Sequence, residues 1–553
     1  MSNDPAKPGD GKTSLPALRS ETSLSSPLLC TTLSLVLLQL FSRLFSFSLN
    51  QLLLRSTTPE ALGVATIGFD VARDTGLFFI REGLRGAVIR TRAAYGSSST
   101  TSEQLVQQTL LLPALLSPLL LLLYPLSTRV LTSPSSARPP HFYSALSLYV
   151  LSAFFELWSE RDYLYTLRQW ETLTSKRVRV EGFAVGVKAL VTLVVVARGG
   201  ERWALLAFGV GQAAYGSTLL VGLRWSVQKV QGTMKTPSVW SLQKLAVPAA
   251  NPAKKEHQAA QTRRRFDTDL TSLGWALTKQ SFIKQILTAA DKIAISQLST
   301  SRDQGGYALA LNYGSLIARI LFQPLEESSR LYFSRQLSSR PSHTLLSSLL
   351  LLHTHLSLIF TLLVPPYIPA LLYHLLGRRW AASSATSILQ AYFFYLPFLA
   401  VNGITEAYFQ SIASQADLRK GSYWMGVCSI GFIVAVGVGA RLGWAEKGLI
   451  LANCVNMAMR IGFSLRFIWR DTKGVECLEV RKWTPKVPTI VVFAGAGWIV
   501  RSSAARWDWK TLTGLVRHVG IGALVGLTCL FFTFLMERRR VAGLYQSIKA
   551  KSD

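Results

Sequence analysis

Residues 279–298, KQSFIKQILTAADKIAISQL, and 307–335, YALALNYGSLIARILFQPLEESSRLYFSR, decide how the chain is read. At the helical rise both are long enough to cross a bilayer. Yet each carries ionised groups well inside its length: Lys284, Asp291 and Lys292 in the first, Arg319, Glu326 and Glu327 in the second. A charge near the bilayer centre costs about 2.5–3.5 kcal/mol on insertion scales, so such groups face protein or trapped water. Seven residues separate Lys284 from Asp291 and Arg319 from Glu326, which puts each pair on one face of a regular helix. Two charged stripes on neighbouring spans imply a polar path inside the membrane.

The composition agrees. Of 553 residues 49% are hydrophobic and only 16% charged, with a mean hydropathy of +0.28. Soluble domains hold about 25% charged residues, and the deficit here is too large for an aqueous surface. Apolar runs of about 20 residues recur without period-2 alternation, so the fold is all-α, with helices rather than a barrel satisfying the backbone. The net charge of +29 does not mark a nucleic-acid binder, because the basic residues lie between apolar runs rather than on one soluble face. Five scattered cysteines with no CxxC or Cys/His cluster support neither a zinc site nor a disulfide framework, and no cofactor is called for.

Six candidate spans fall at 27–54, 61–85, 104–126, 142–165, 178–197 and 203–225. Six more fall at 271–298, 305–333, 343–364, 385–411, 421–441 and 446–469, and a last two at 487–504 and 513–535. YIPALLYHLLG (367–377) reads as an extra interfacial helix. The chain then divides into a disordered cytosolic tail (1–26), six helices (27–226), a basic cytosolic linker (227–270), six helices (271–470), a cytosolic loop (471–486), and two helices with a tail (487–553). Most Lys and Arg fall on one side of this alternation, which places both termini in the cytosol. Both halves enter the membrane from the same side, so a six-plus-six repeat would be parallel. Gln39/Arg43 and Gln280/Lys284 are its one visible trace.

The second span ends in FFIREGLRGAVIR, where Arg81 and Arg85 share a face with Glu82 beside them. They read equally as a positive-inside anchor or as a cationic rim, since an arginine fork holds a phosphate through two parallel hydrogen bonds. Arg43 sits mid-span, where snorkelling is strained, and Arg460 lies nearer an end. Glu156 and Glu160, followed by Arg161 and Asp162, read as an interfacial charge cluster. Glu406 is an isolated carboxylate of the kind proton relays use. Asn402, Asn453 and Asn456 would bond sugar hydroxyls or join helices, and the Gly182-xxx-Gly186 spacing reads as close helix packing. GVGQAA (209–214) mimics a dinucleotide loop but has no strand before it, and His353-Thr354-His355 lacks acidic ligands.

SFIKQILTAADK (281–292), NYGSLIARILFQPLEES (312–328), VNGITEAY (401–408), LILANCVNMAMRI (449–461) and FIREGLRGA (79–87) resemble the eukaryotic Rft family. The similarity extends from about residue 28 to residue 545, with two departures: Arg85-Gly86, where the family usually has paired arginines, and the 227–270 linker, which shows no obvious match. The resemblance implies the fold of the multidrug/oligosaccharidyl-lipid/polysaccharide exporter superfamily. That means about fourteen transmembrane helices, two six-helix lobes around a central cavity plus two C-terminal helices, in the endoplasmic reticulum membrane. It implies a dolichyl-pyrophosphate-linked oligosaccharide of N-glycosylation as the partner, and flipping without an enzymatic step. The matching positions Arg43, Arg81, Lys284, Arg319, Glu326 and Arg460 carry over as cavity residues. Arg85 would join them as a pyrophosphate ligand, and Glu82, Asp291, Asn402, Glu406 and Asn456 as polar cavity groups. An accessory protein that presents the lipid-linked sugar without flipping it fits the same residues. A cation-coupled exporter would instead need an acidic cluster to dominate.

Overall fold

The structure is a computed structural model that describes residues 48, 51–91, 106, 108–122, 125, 128, 138–168, 170–234, 267–336, 340–472 and 483–549. Of the sequence-based expectations, the tail, Arg43 and nearly all of the first span lie outside these residues. So do 235–266 of the linker, most of the 471–486 loop, and Cys30 and Cys477. The helix bearing Lys284 and Asp291 is described, but those two side chains are not.

Thr58 starts the first long helix by accepting the Ala61 N–H at 3.2 Å, with Pro59 at a position that needs no backbone donor. Pro59–Gly63, a π-helical turn Val64–Phe69 and Asp70–Thr91 then run on as one rod, α1. In the stretch expected as a span over 104–126 the described residues include Leu112–Leu115 as α-helix and Ser117–Leu122 as a 3-10 turn. Pro113, Pro118 and Pro125 break the backbone ladder there. α2 (Phe142–Arg168), α3 (Trp170–Gly199) and α4 (Ala204–Met234) follow. α4 thus takes eight residues from the expected linker.

Asp267 caps α5 (Thr268–Leu298) through the Asp269 and Leu270 amides at 3.0 and 2.9 Å. Thr300 caps α6, which comprises Ser301–Ile317, a π-helical turn Ala318–Phe322 and Gln323–Gln336. α7 (Arg340–Leu358) ends in a third π turn, Ile359–Leu363, before α8 (Ile368–Leu376), which is the expected extra helix. α9 (Ala385–Ile412), α10 (Gln415–Arg441), α11 (Ala445–Asp471), α12 (Val487–Arg506) and α13 (Leu512–Lys549) complete the order. No strand occurs among the described residues.

Eight described stretches are long and apolar enough to cross a membrane: two on α3 and α4, one on α7 with α8, and one each on α9 to α13. The chain is an all-α, multi-pass membrane protein. The four long helices outside that set, α1, α2, α5 and α6, carry charges within their length, as α9 and α11 also do at Glu406 and Arg460. They also meet one another. α4 packs on α2 and α3, α9 packs on α6, α7 and α11, and α1 joins the two sets by running against α2 on one side and α5 and α6 on the other. Val71, Ala72 and Leu77 of α1 pack with Ala153 and Leu157 of α2 and Ala289 of α5 in one buried cluster. Helices that touch only each other and lipid can be apolar all round, whereas charge is tolerated where protein lies on every side.

α1 approaches its neighbours at both ends without side chains between. A Cβ on Gly83 would overlap the Gly274 carbonyl oxygen and the Thr278 hydroxyl of α5, and one on Gly305 of α6 would overlap the Pro59 carbonyl, whose carbon lies 2.6 Å away. Gly305→Val will therefore destabilise the chain by about 1–3 kcal/mol, read as a lower midpoint of thermal unfolding in detergent. Gly182→Val is the control, because nothing among the described residues lies within 4 Å of its Cβ position, and it should stay within about 0.5 kcal/mol of wild type. Equal loss from both would remove the crossing from the explanation. The open space at Gly182 and at Gly186 also corrects the helix-packing reading of that spacing: no helix of the described chain covers it.

Candidate functional site

The embedded charges collect in two clusters. The first joins α1, α2 and α4. Arg85 donates through Nε and Nη2 to both oxygens of Glu160, at 2.5 and 2.7 Å, and its guanidinium lies 4.0 Å from the Tyr163 ring centre. One turn earlier Arg81 reaches Glu156 at 3.4 Å, a long contact. Glu156 is shared further, with Arg73 at 3.7 Å and the Gln212 amide at 3.4 Å. The two carboxylates are 5% and 1% exposed in their side chains. This corrects the interfacial reading of Glu156 and Glu160. α1 and α2 run in the same direction, so two acids four residues apart meet two arginines four residues apart, rung by rung.

The pairing changes what each arginine is free to do. Arg85 is held by two short charged hydrogen bonds and a stacked ring, and the guanidinium fork that was to take a pyrophosphate is occupied by Glu160. Arg81 has one stretched bond, and Glu82 sits half-buried beside Arg85. Arg73, flanked by Asp70 at 3.8 Å and Asp74 at 2.6 Å, was missed by sequence reasoning, although DVARD places three charges inside an apolar run. Gln212 was passed over as part of a false dinucleotide loop, yet its amide also approaches the Ser152 hydroxyl at 3.4 Å.

The second cluster joins α6, α9 and α11. Glu406 accepts from Arg460 at 2.5 Å, from Asn402 at 3.0 Å and from Gln410 at 2.9 Å. Arg460 therefore turns inward to a carboxylate and does not snorkel. Glu326 bonds Arg330 at 2.8 Å, and its other oxygen lies 3.0 Å from where a Gly403 Cβ would stand, on the α9 face that carries Glu406. The two carboxylates are close enough to repel one another. Asn402 is buried and leaves its Oδ1 without a hydrogen-bond partner, while Asn456 is half-buried on α11.

Arg319 differs from the rest. It is exposed on the π turn of α6, and its two hydrogen bonds go to Ser315, to the carbonyl at 3.2 Å and the hydroxyl at 3.3 Å. No carboxylate pairs with it among the described residues. Nor does it share a stripe with Glu326: a π turn holds more residues than an α turn, so a seven-residue spacing across it loses its phase. Among the described residues no group of three His, Cys, Asp or Glu stands together as a metal site. His353 and His355 spend their Nδ1 atoms on the backbone carbonyls of Leu349 and Leu351 at 2.7 and 2.8 Å.

Comparison with known proteins places these clusters in context. The family described as Rft protein matches residues 29–547. The chain belongs to the Rft family. Among its Rft relatives, a protein of Saccharomyces cerevisiae is 32% identical over 76% of this chain and 79% of its own length. One from Schizosaccharomyces pombe is 30% identical over 78% and 81%. One from Xenopus tropicalis is 26% identical over 91% and 94%. All three carry the name Man(5)GlcNAc(2)-PP-dolichol translocation protein RFT1. Among solved structures, the lipid II flippase MurJ in an inward closed conformation superposes with a TM-score of 0.57 at 14% identity. That match covers 91% of this chain and all of that one, and it establishes the fold of this Rft chain as that of MurJ.

Proposed function

We propose that the chain moves a dolichyl-pyrophosphate-linked oligosaccharide from the cytosolic to the lumenal leaflet of the endoplasmic reticulum, with both termini in the cytosol. The observation that carries this reading is that relatives named for translocating Man(5)GlcNAc(2)-PP-dolichol align with three quarters or more of the chain. The excess of Lys and Arg on one side of the helix alternation supports the orientation.

The physical problem is to carry a sugar–pyrophosphate head through hydrocarbon, where each unpaired polar group costs several kcal/mol. In this reading α1 to α4 belong to one lobe, α5 to α11 to the other, and the head passes between them as they rock. Arg319 meets the pyrophosphate first, because no carboxylate among the described residues pairs with it. Arg81 joins by giving up its stretched bond to Glu156, while Arg85 and Arg460 stay with their carboxylates and hold the helices that frame the path. Arg43 and Lys284, whose side chains lie outside the described residues, are proposed as further phosphate ligands on the family resemblance alone. Asn402, Glu406, Glu326 and Asn456 offer hydrogen bonds to sugar hydroxyls, with Glu82 and Asp291 balancing charge beside the cations.

Budding yeast depleted of its own relative provides the test. Expression of this chain should restore transfer of full-length oligosaccharide to secreted glycoproteins and clear the accumulated heptasaccharide lipid. Persistent accumulation despite normal amounts of the chain in the membrane would count against the reading.

A further inference from the structure

α3 and α4 lie antiparallel, with Gly222 against Val180 and Gly211 against Thr192. On their outer side they enclose a groove of about 550 Å³, lined by Arg179, Phe183, Thr218, Val221, Gly222 and Trp225. Phe183 is 69% exposed and Trp225 63%, so these rings are covered by no other part of the described chain. The groove has a direction. Its apolar floor runs along Phe183 and Val221, and Arg179 and Trp225 lie toward the end where the candidate spans start at Ser175 and finish at Val230. That end is basic. Among the described residues the exposed Arg179 bonds only the Ser175 carbonyl, at 3.3 Å through Nε, and Lys229 holds its Nζ 5.1 Å from the Trp225 ring centre. The acid nearest in sequence, Glu181, is matched by Arg177 at 3.8 Å.

An apolar trough inside the hydrocarbon, an indole within two turns of the span edge, and two cations beside it are the parts that recognise an anionic lipid headgroup and its chain. We infer that this groove is a binding site for a glycerophospholipid with a net negative headgroup. Arg179 and Lys229 meet its phosphate, Trp225 sits at the headgroup boundary, and an acyl chain lies along Phe183 and Val221. The site is separate from the charged clusters of the path and faces the bilayer from the outside of α3 and α4.

Purified full chain in detergent, titrated with phosphatidylserine or phosphatidylcholine and weighed by native mass spectrometry, tests this. Phosphatidylserine should be retained at least about fivefold better, and Arg179→Ala and Lys229→Ala should each lower that retention by about fivefold. Val221→Trp fills the groove at a position 68% exposed and should abolish retention of both lipids with an unchanged unfolding midpoint. Equal retention of the two lipids, retention indifferent to the three substitutions, or preference for a polyprenyl phosphate over phosphatidylserine would overturn the inference.

Discussion

Arg319→Ala will slow the arrival of lipid-linked oligosaccharide in the lumenal leaflet by at least about thirtyfold, the equivalent of the 2 kcal/mol at the low end for losing one charged, hydrogen-bonded partner. Its abundance and unfolding midpoint should not move. The side chain is exposed and its bonds are to Ser315 on its own helix, so nothing in the packing depends on it. Arg319→Lys will recover part of the rate, because an ammonium keeps the charge but loses the planar fork that meets two phosphate oxygens at once. Pulse-labelled lipid-linked sugars, read alongside protein level in the membrane, separate the outcomes. A fall in protein that matches the fall in rate would make the residue structural.

Glu160→Ala will do the opposite, destabilising the fold by about 3–5 kcal/mol, since it strands the largely buried Arg85 guanidinium without its carboxylate. Arg85→Ala should cost a similar amount by leaving a carboxylate 1% exposed. The double variant Arg85→Met/Glu160→Leu should regain most of the loss, as apolar replacement of a buried pair is often neutral or better. Thermal unfolding of the four proteins in one detergent compares the broken pair with its apolar replacement. No recovery in the double variant would count against the pair as the source of the loss.

The fold class was open to reading from the sequence because bilayer thickness fixes helix length, so apolar runs of the right size announce themselves. What could not be read was phase. Arg319 and Glu326 are seven residues apart, but a π turn between them shifts their phase, and Glu326 pairs with its own i+4 neighbour Arg330. Single-sequence periodicity assumes a regular helix and is blind to such a turn. The 104–126 span is described only in pieces, with Pro113, Pro118 and Pro125 in a run that is otherwise apolar enough. The Arg81/Arg85 and Glu156/Glu160 ladder, by contrast, was legible in principle. Both pairs are spaced by four, with 75 residues between each arginine and its acid, and two spans that cross in the same direction can interlock in that way. Treating each pair as a surface feature hid the match. Arg73 stayed unnoticed although it lies in the middle of the expected 61–85 span, between Asp70 and Asp74.

The central claim is that the polar groups on α1, α2, α5 and α6 serve a moving head group and are more than glue between helices. Reconstituting the purified chain into sealed vesicles with labelled dolichyl-pyrophosphate oligosaccharide, and timing the label's exposure to a membrane-impermeant lectin, tests it most directly. Exposure should be much faster with wild-type protein than with empty vesicles and should fall back toward the empty rate with Arg319→Ala. Tight retention of the labelled lipid with no acceleration would contradict the account and leave the chain as a binder of the lipid-linked sugar.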